Sequence, residues 1–252
     1  MPHDNPAATP DGGDYPREPL SLLVRRLHNF SGRLLRDDLS NTILTQKHFP
    51  NDHPSWSDRG DLRHLFVLER GFAFKFEIMP NGQRHIADFF GPGAICNWSR
   101  LNSFEQQDDI VFKAGSAVTL LDAKKLGSLL EERPGIASVF RRHELARVMR
   151  TTQRIRALIS RSGTEKMIMV LLDILDEFGT TGTMPEWLPI PFTQQELADL
   201  LGVTPVHVSR TFSRLEEAGI IEREKRSVKL LNARQLREGL AYRSFFRTGS
   251  RA

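Results

Sequence analysis

PFTQQELADLLGVTPVHVSRTFSRLEEAGIIEREKRSVKLLN, residues 191–232, decides the architecture, because its helix boundaries are written in capping residues. Thr193 with Glu196 three residues on is a capping box, which satisfies exposed backbone N–H groups and fixes a helix start. Leu197, Leu200 and Leu201 give that helix an apolar face, and Gly202 stands where a left-handed residue ends a helix. Thr204 then serves as N-cap, and Pro205 suits a first helical position, where its missing N–H would be unpaired anyway. A connection this short forces the two helices to cross steeply, which is helix-turn-helix geometry. In the second helix Val208, Phe212 and Leu215 face inward by spacing and leave Val206, His207, Ser209, Arg210, Ser213 and Arg214 outside. Glu216 to Ile221 closes that helix and leads into a strand. Glu224-Lys225-Arg226-Ser227 is then a basic hairpin tip before Val228, Leu230 and Leu231.

Short polar or basic groups near a helix N-terminus are what a recognition helix presents to the DNA major groove, and a basic wing contacts phosphate. On this reading Val206, His207, Ser209 and Arg210 face bases, while Ser213, Arg214, Lys225 and Arg226 face the backbone. Arg210 leads the set, since its planar guanidinium can donate two parallel hydrogen bonds to guanine. The competing reading is a three-helix packing module with no nucleic-acid role. Charge favours the first reading without deciding it. The chain of 252 residues carries a formal net charge of +4, and residues 133–161 hold eight arginines against Glu144 alone.

Outward from this segment the pattern changes. Residues 1–19 are rich in proline and glycine and read as a flexible arm, followed by a helix over Leu20–Phe30 and a short one near Leu34, Leu35 and Leu39. From Ile43 to Leu121, runs of β character (64–68, 72–78, 83–89, 110–113 and 117–121) alternate with turn signals such as Asn81-Gly82 and Gly91-Pro92-Gly93. Phe72, Phe74, Phe76 and Ile78 share one face by alternation, so a small antiparallel barrel or sandwich is expected. After Pro134 a helical period runs to about Ser160. Leu145, Val148, Thr152, Ile155 and Ile159, with Met149 beside them, follow the 3-4 spacing of a two-stranded coiled coil. That stripe either joins two copies of the chain or packs on the chain's own β-domain. Ser162-Gly163 breaks the helix and marks a boundary, after which Thr164 can cap a further apolar helix.

Several isolated residues carry weaker signals. Cys96 is the single cysteine, so neither an intrachain disulfide nor a four-cysteine cluster can form. It reads as a small buried apolar side chain or as a redox switch. His48, His53 and His64 lack ligand spacing, so no metal is expected, and no cofactor is called for. Trp98 and Arg100, with Arg84 and His85, either line a small-molecule pocket at the barrel mouth or serve packing and solvation. No nucleophilic triad, phosphate-binding glycine loop or paired carboxylate in a catalytic setting is present, so an enzyme is not expected. Without a long apolar run or a signal pattern, a cytoplasmic protein with no membrane partner is expected.

A β-rich domain, one long helix and a terminal TQQELADLLGVTPVHVSRTFSRLEEAGII together resemble the Crp/Fnr superfamily of bacterial transcription regulators over roughly residues 20–240. The resemblance implies an α+β fold. It comprises an N-terminal β-roll effector domain (20–132) after the arm (1–19), a long dimerisation helix (133–162), a winged helix-turn-helix (163–240) and a C-terminal tail (241–252). It also implies a homodimer on double-stranded DNA, with RNA polymerase and an unidentified small-molecule effector as further partners. Pro205, Val206, Ser209 and Arg210 fall on the family's base-contacting positions, and Thr193, Gln194 and Thr204 where it contacts backbone. In cyclic-nucleotide-binding members a Gly-Glu pair holds ribose and an Arg-Ser pair holds phosphate; here those positions read Cys96-Asn97 and Asp108-Asp109. Carboxylates repel a phosphate, so cyclic AMP is not the expected effector, although Thr151 and Thr152 fall near the family's helix contacts to the base. The expected effector pocket is therefore Arg84, His85, Cys96, Trp98, Thr151 and Thr152, its ligand open. A nucleoid-type structural DNA-binding protein, or an enzyme with an accessory winged helix, is the alternative.

Overall fold

The structure is a computed structural model that describes residues 18–31, 36–55, 64–102, 109–181 and 186–246. The readings placed on the first 17 residues, on Leu34, Leu35 and Asp108, on the tail beyond Phe246 and on the Arg100 side chain lie outside the described residues.

Two antiparallel sheets face each other in the N-terminal half, one ordered β1 (Ile43–Phe49), β7 (Ser116–Asp122), β3 (His64–Arg70). The other is ordered β2 (His53–Pro54), β6 (Asp109–Phe112), β4 (Ala73–Ile78), β5 (Arg84–Phe90). Phe49, Phe66, Leu68, Ala73, Phe90, Phe112 and Leu120 fill the space between them. Alternation then sends Leu65, Val67 and Leu121 to the outside of the first sheet. There α1 (Ser21–Ser31), α2 (Arg36–Ser40), α3 (Ala123–Glu132) and the start of α4 (Pro134–Ser160) cover them with Leu23, Leu27, Leu39, Leu126, Ile136 and Phe140. Gly93, at φ +81°, lets the turn after β5 approach α1 closely: a Cβ there would stand 2.6 Å from the Leu22 carbonyl oxygen.

The stripe Phe72, Phe74 and Phe76 is buried as its alternation requires, yet Ile78 is 56% exposed because β4 runs out past its cover. The stripe does not look into the roll. Together with Ile86 and Phe89 it forms the outer face of the second sheet, and the C-terminal half packs onto it. The central element there is α5 (Gly163–Gly179), whose residues 167–177 are all buried, so it is a helix surrounded on every side. Its cap is Ser162, in a capping box with Glu165, rather than Thr164, so the helix opens two residues earlier than a Thr164 cap would place it. Around α5 stand α6 (Gln194–Leu201), α7 (Pro205–Glu217), α8 (Ala233–Gly239) and a three-stranded wing sheet. That sheet is ordered β8 (Leu188–Pro189), β10 (Ser227–Leu230), β9 (Ile221–Glu224).

Candidate nucleic-acid interface

The helix-turn-helix forms through the caps that its sequence contains. Thr193 Oγ1 accepts from Glu196 N while Glu196 accepts at 2.8 Å from Thr193 N, Gly202 ends α6 at φ +66°, and Thr204 Oγ1 accepts from His207 N. Val208, Phe212 and Leu215 seat α7 on the core, as does Thr211, whose hydroxyl bonds back to the His207 carbonyl and which spacing alone does not mark as buried. Val206, His207, Arg210, Ser213 and Arg214 are exposed, and Pro205 and Ser209 half-buried. His207 stands apart from this set: a Cβ on Gly163 would lie 2.7 Å from its Nε2, so the imidazole borders the α4–α5 joint. Lys225 and Arg226 are exposed at the wing tip, with Lys225 in the left-handed region at φ +51°. Arg223 pairs with Glu216 at 3.3 Å and lies 5.0 Å over the Phe212 ring, which tethers the wing to α7. Between wing and helices runs a groove of about 260 Å³ whose walls include Thr193, Gln194, Arg223, Lys225 and Arg226.

The face of α6 away from α7 is occupied by the chain's own β-roll. Phe192 inserts among Phe72, Phe74 and Phe89, with ring centroids 4.8 to 6.3 Å apart. Arg84 pairs with Asp199 at 2.7 Å, and Lys113 bridges Asp52 and Glu196. Of the pocket residues expected from sequence, Arg84 instead holds the two halves together and His85 is exposed on β5, and neither is among the walls of the cavity at α4.

The remaining expected pocket residues do converge. A cavity of about 480 Å³ between the roll and α4 is walled by Cys96, Trp98, Thr151 and Thr152, together with Lys75, Asp88, Phe90, Ser99, Glu144, Arg147 and Val148. Burial holds the Cys96 thiol well above its ordinary pKa, which keeps it protonated and unreactive. Asn97 braces the roll instead, since its Oδ1 accepts from Phe66 N and its Nδ2 donates to the His64 carbonyl. Asp109 lies on β6, outside these walls.

Below the cavity is a network that sequence reasoning missed. Arg147, Arg150 and Arg154 of α4, read as part of a basic run, are 1–5% exposed. All three converge on Asp88 of β5. Arg150 also pairs with Glu177 of α5, and Arg154 with Asp173 at 2.9 Å. Arg26 of α1 stands 3.1 Å from Glu177 as an ion pair without hydrogen-bond alignment. Burial alone would raise the Asp88 and Glu177 pKa values, but the arginines outweigh it. Asp88 is held far below the usual carboxylate range and Glu177 at about 2. Burial lowers the Arg26 pKa, whereas at Arg150 the carboxylates more than offset burial and raise it. The opposite side of α4 exposes Leu145, Val148, Met149, Ile155 and Ile159, with Thr152 half-buried among them.

Residues 165–238 match the Crp-like helix-turn-helix domain family, so the C-terminal unit is a DNA-binding helix-turn-helix domain. The chain is similar to the nitrogen fixation regulation protein FixK of Bradyrhizobium diazoefficiens, 26% identical over 69% of this chain and 73% of that protein. It is also similar to the transcriptional activator protein anr of Pseudomonas aeruginosa, 22% identical over 68% and 70%. Among solved structures, FixK2 from Bradyrhizobium japonicum superimposes with a TM-score of 0.58 at 21% identity, covering 77% of this chain and 96% of that one. A CooA mutant from Carboxydothermus hydrogenoformans gives 0.59 at 16% identity, covering 78% and 87%. Over most of its length the chain is thus similar to transcription regulators of the Crp/Fnr type, and residues 165–238 carry the Crp-like helix-turn-helix domain. No helix among the described residues is long and apolar enough to cross a membrane.

Proposed function

We propose that this is a cytoplasmic, sequence-specific regulator that binds a palindromic operator as a homodimer, reading bases with α7 and phosphates with the wing and the start of α6. The observation that carries the reading is the uncovered outer face of α7, where Val206, Arg210, Ser213 and Arg214 stand clear of the β-roll while α6 is docked against it. Pro205 and Ser209 flank that face, and Thr193, Gln194, Thr204, Lys225 and Arg226 border it as backbone contacts. Dimerisation uses Leu145, Val148, Met149, Thr152, Ile155 and Ile159: an exposed apolar stripe on one long helix is what a matching helix covers. Two coupled copies then present their recognition helices to half-sites about 34 Å apart.

The effector site on this reading is the cavity of about 480 Å³ at the α4 seam. Asp88 and Glu144 bring carboxylates to its wall, and Arg147 is already engaged by Asp88, so a phosphodiester finds no uncommitted arginine there. Cyclic AMP is accordingly not the ligand. Calorimetry should show no binding below millimolar concentration, and micromolar binding would overturn this assignment of the cavity. Selection of bound sites from random DNA, followed by footprinting, tests the main reading. A discrete palindrome supports it, whereas protection without register would mark a nucleoid-type structural protein.

A further inference from the structure

After α8 the chain turns at Ala241, at φ +51°, and runs back from the winged helix to the sensor half. The turn ends on four anchors. The Leu240 carbonyl accepts from Arg161, at the end of α4, at 3.3 Å. Tyr242, 7% exposed, places its hydroxyl 2.9 Å from Asp173 and 3.1 Å from Asp176 of α5, with Arg237 stacked over its ring at 4.9 Å. The Arg243 backbone forms a reciprocal pair with one side chain of α4: its N–H donates to Gln153 Oε1 at 2.9 Å and its carbonyl accepts from Gln153 Nε2 at 3.2 Å. Phe246, 1% exposed, is buried in the core of α1, α4 and the β-roll, with the guanidinium carbons of Arg26 and Arg150 at 5.6 and 5.2 Å from its ring centroid.

The covalent joint between α4 and the DNA-binding half is Arg161-Ser162-Gly163, a break of two residues whose glycine opens α5. A single short joint leaves rotation about it free unless something else ties the two sides. Docking of α6 on β5 is one such tie, but it connects the winged helix to the roll rather than to α4. Residues 240–246 are a further tie to α4, beside the Arg150–Glu177 and Arg154–Asp173 pairs that join α4 to α5, and α4 also carries the exposed apolar stripe. Gln153 on α4 and Arg161 at its C-cap then hold the end of the winged helix at a defined angle to the seam.

We propose that residues 240–246 are a strap that fixes the winged helix relative to α4 and thereby sets the half-site separation that the dimer accepts. This rests on the two-half-site reading above. Bivalent binding gains from coupling only where geometry permits both contacts at once, so loosening the strap widens the range of tolerated separations and weakens the preferred one. Phe246 and Gln153 are positioning residues that touch no DNA.

The test uses full-length protein and duplexes carrying two selected half-sites whose separation is stepped one base pair at a time, with a single-half-site duplex as reference. Wild type should prefer one separation by about ten-fold or more, as bivalent coupling implies. Phe246→Ala should flatten the profile to within about three-fold while leaving single-half-site affinity unchanged. Gln153→Ala removes only the reciprocal pair, should broaden the profile in the same sense, and decides the matter if Phe246→Ala does not fold. A sharp wild-type profile that survives in Gln153→Ala and in folded Phe246→Ala overturns the strap alone. A flat wild-type profile overturns the two-half-site reading, and the strap's role with it.

Discussion

The two sides of α4 reverse the usual order of an amphipathic helix. Arg147, Arg150 and Arg154 point into the protein at 1–5% exposure, while Leu145, Val148, Ile155 and Ile159 stand outside at 51–81%. Buried arginine is tolerable only where carboxylates and carbonyls replace water, and Asp88, Asp173, Glu177 and the Phe89 carbonyl do so here. The inner side therefore finds its counter-charges within one chain, although Arg147 Nη1 and Arg150 Nε have no hydrogen-bond partner, whereas the outer side is apolar and exposed. One helix thus has two different sides: its charged side locks the DNA-binding half onto the sensor half, and its apolar side is the one proposed to take a second copy.

The largest expected effect comes from breaking the inner side. Glu177→Ala removes the counter-charge that Arg26 and Arg150 share, leaving Arg150 with Asp88 and Arg26 with backbone carbonyls, and should cost about 3–5 kcal/mol in urea unfolding. Pairing Arg150→Met with Glu177→Met should recover part of that loss, and full additivity of the two would show that they do not interact. Acid sharpens the same point. Because the folded pKa of Glu177 is depressed from 4.5 to about 2, its contribution is complete above pH 4.5 and is lost as the pH falls toward 2, with Asp88 acting in the same direction. Asp173, which burial raises, works in the opposite sense: its contribution is present in acid and lost as the pH rises through its raised pKa. A stability curve flat from pH 5 to 2 would contradict the assignment of a charged Glu177.

The outer side should respond differently. Val148→Asp with Ile155→Asp leaves the protomer's stability near wild type, since both residues are already exposed, but should give a monomer by light scattering and lower operator affinity by about ten-fold or more. A variant that stays dimeric would move the interface away from this stripe.

The parts legible in sequence are those whose physics is local. The Thr193 capping box, the left-handed Gly202 and the alternation of Phe72, Phe74 and Phe76 each depend on neighbours within a few residues, and each forms. Strand β1 escapes such reading, because Leu44 to His48 are exposed along one edge and show no alternation. Helix α3 escapes it because its start rests on Asp122, which caps from within the end of β7. The face on which the phenylalanines are covered, the burial of three arginines and the return of the tail all depend on partners tens of residues away. One signal does exist for the arginines. Asp173, Asp176 and Glu177 interrupt an otherwise apolar helix, and acids in such a place require cations opposite them. Arg84 misleads for a related reason: position on a strand says nothing about Asp199 on a distant helix.

Whether the exposed side of α7 reads sequence is decided by the binding of Arg210→Ala to operators substituted at every position, at fixed salt. Arg210 should donate bidentately to one guanine per half-site. Its loss should therefore cost about 1–3 kcal/mol per contact and erase preference at that one position, while Lys225→Ala and Arg226→Ala weaken all sequences alike. If Arg210→Ala instead lowered affinity uniformly and left the base preference at every position intact, Arg210 would be a phosphate contact and the reading assigned to this face of α7 would be wrong.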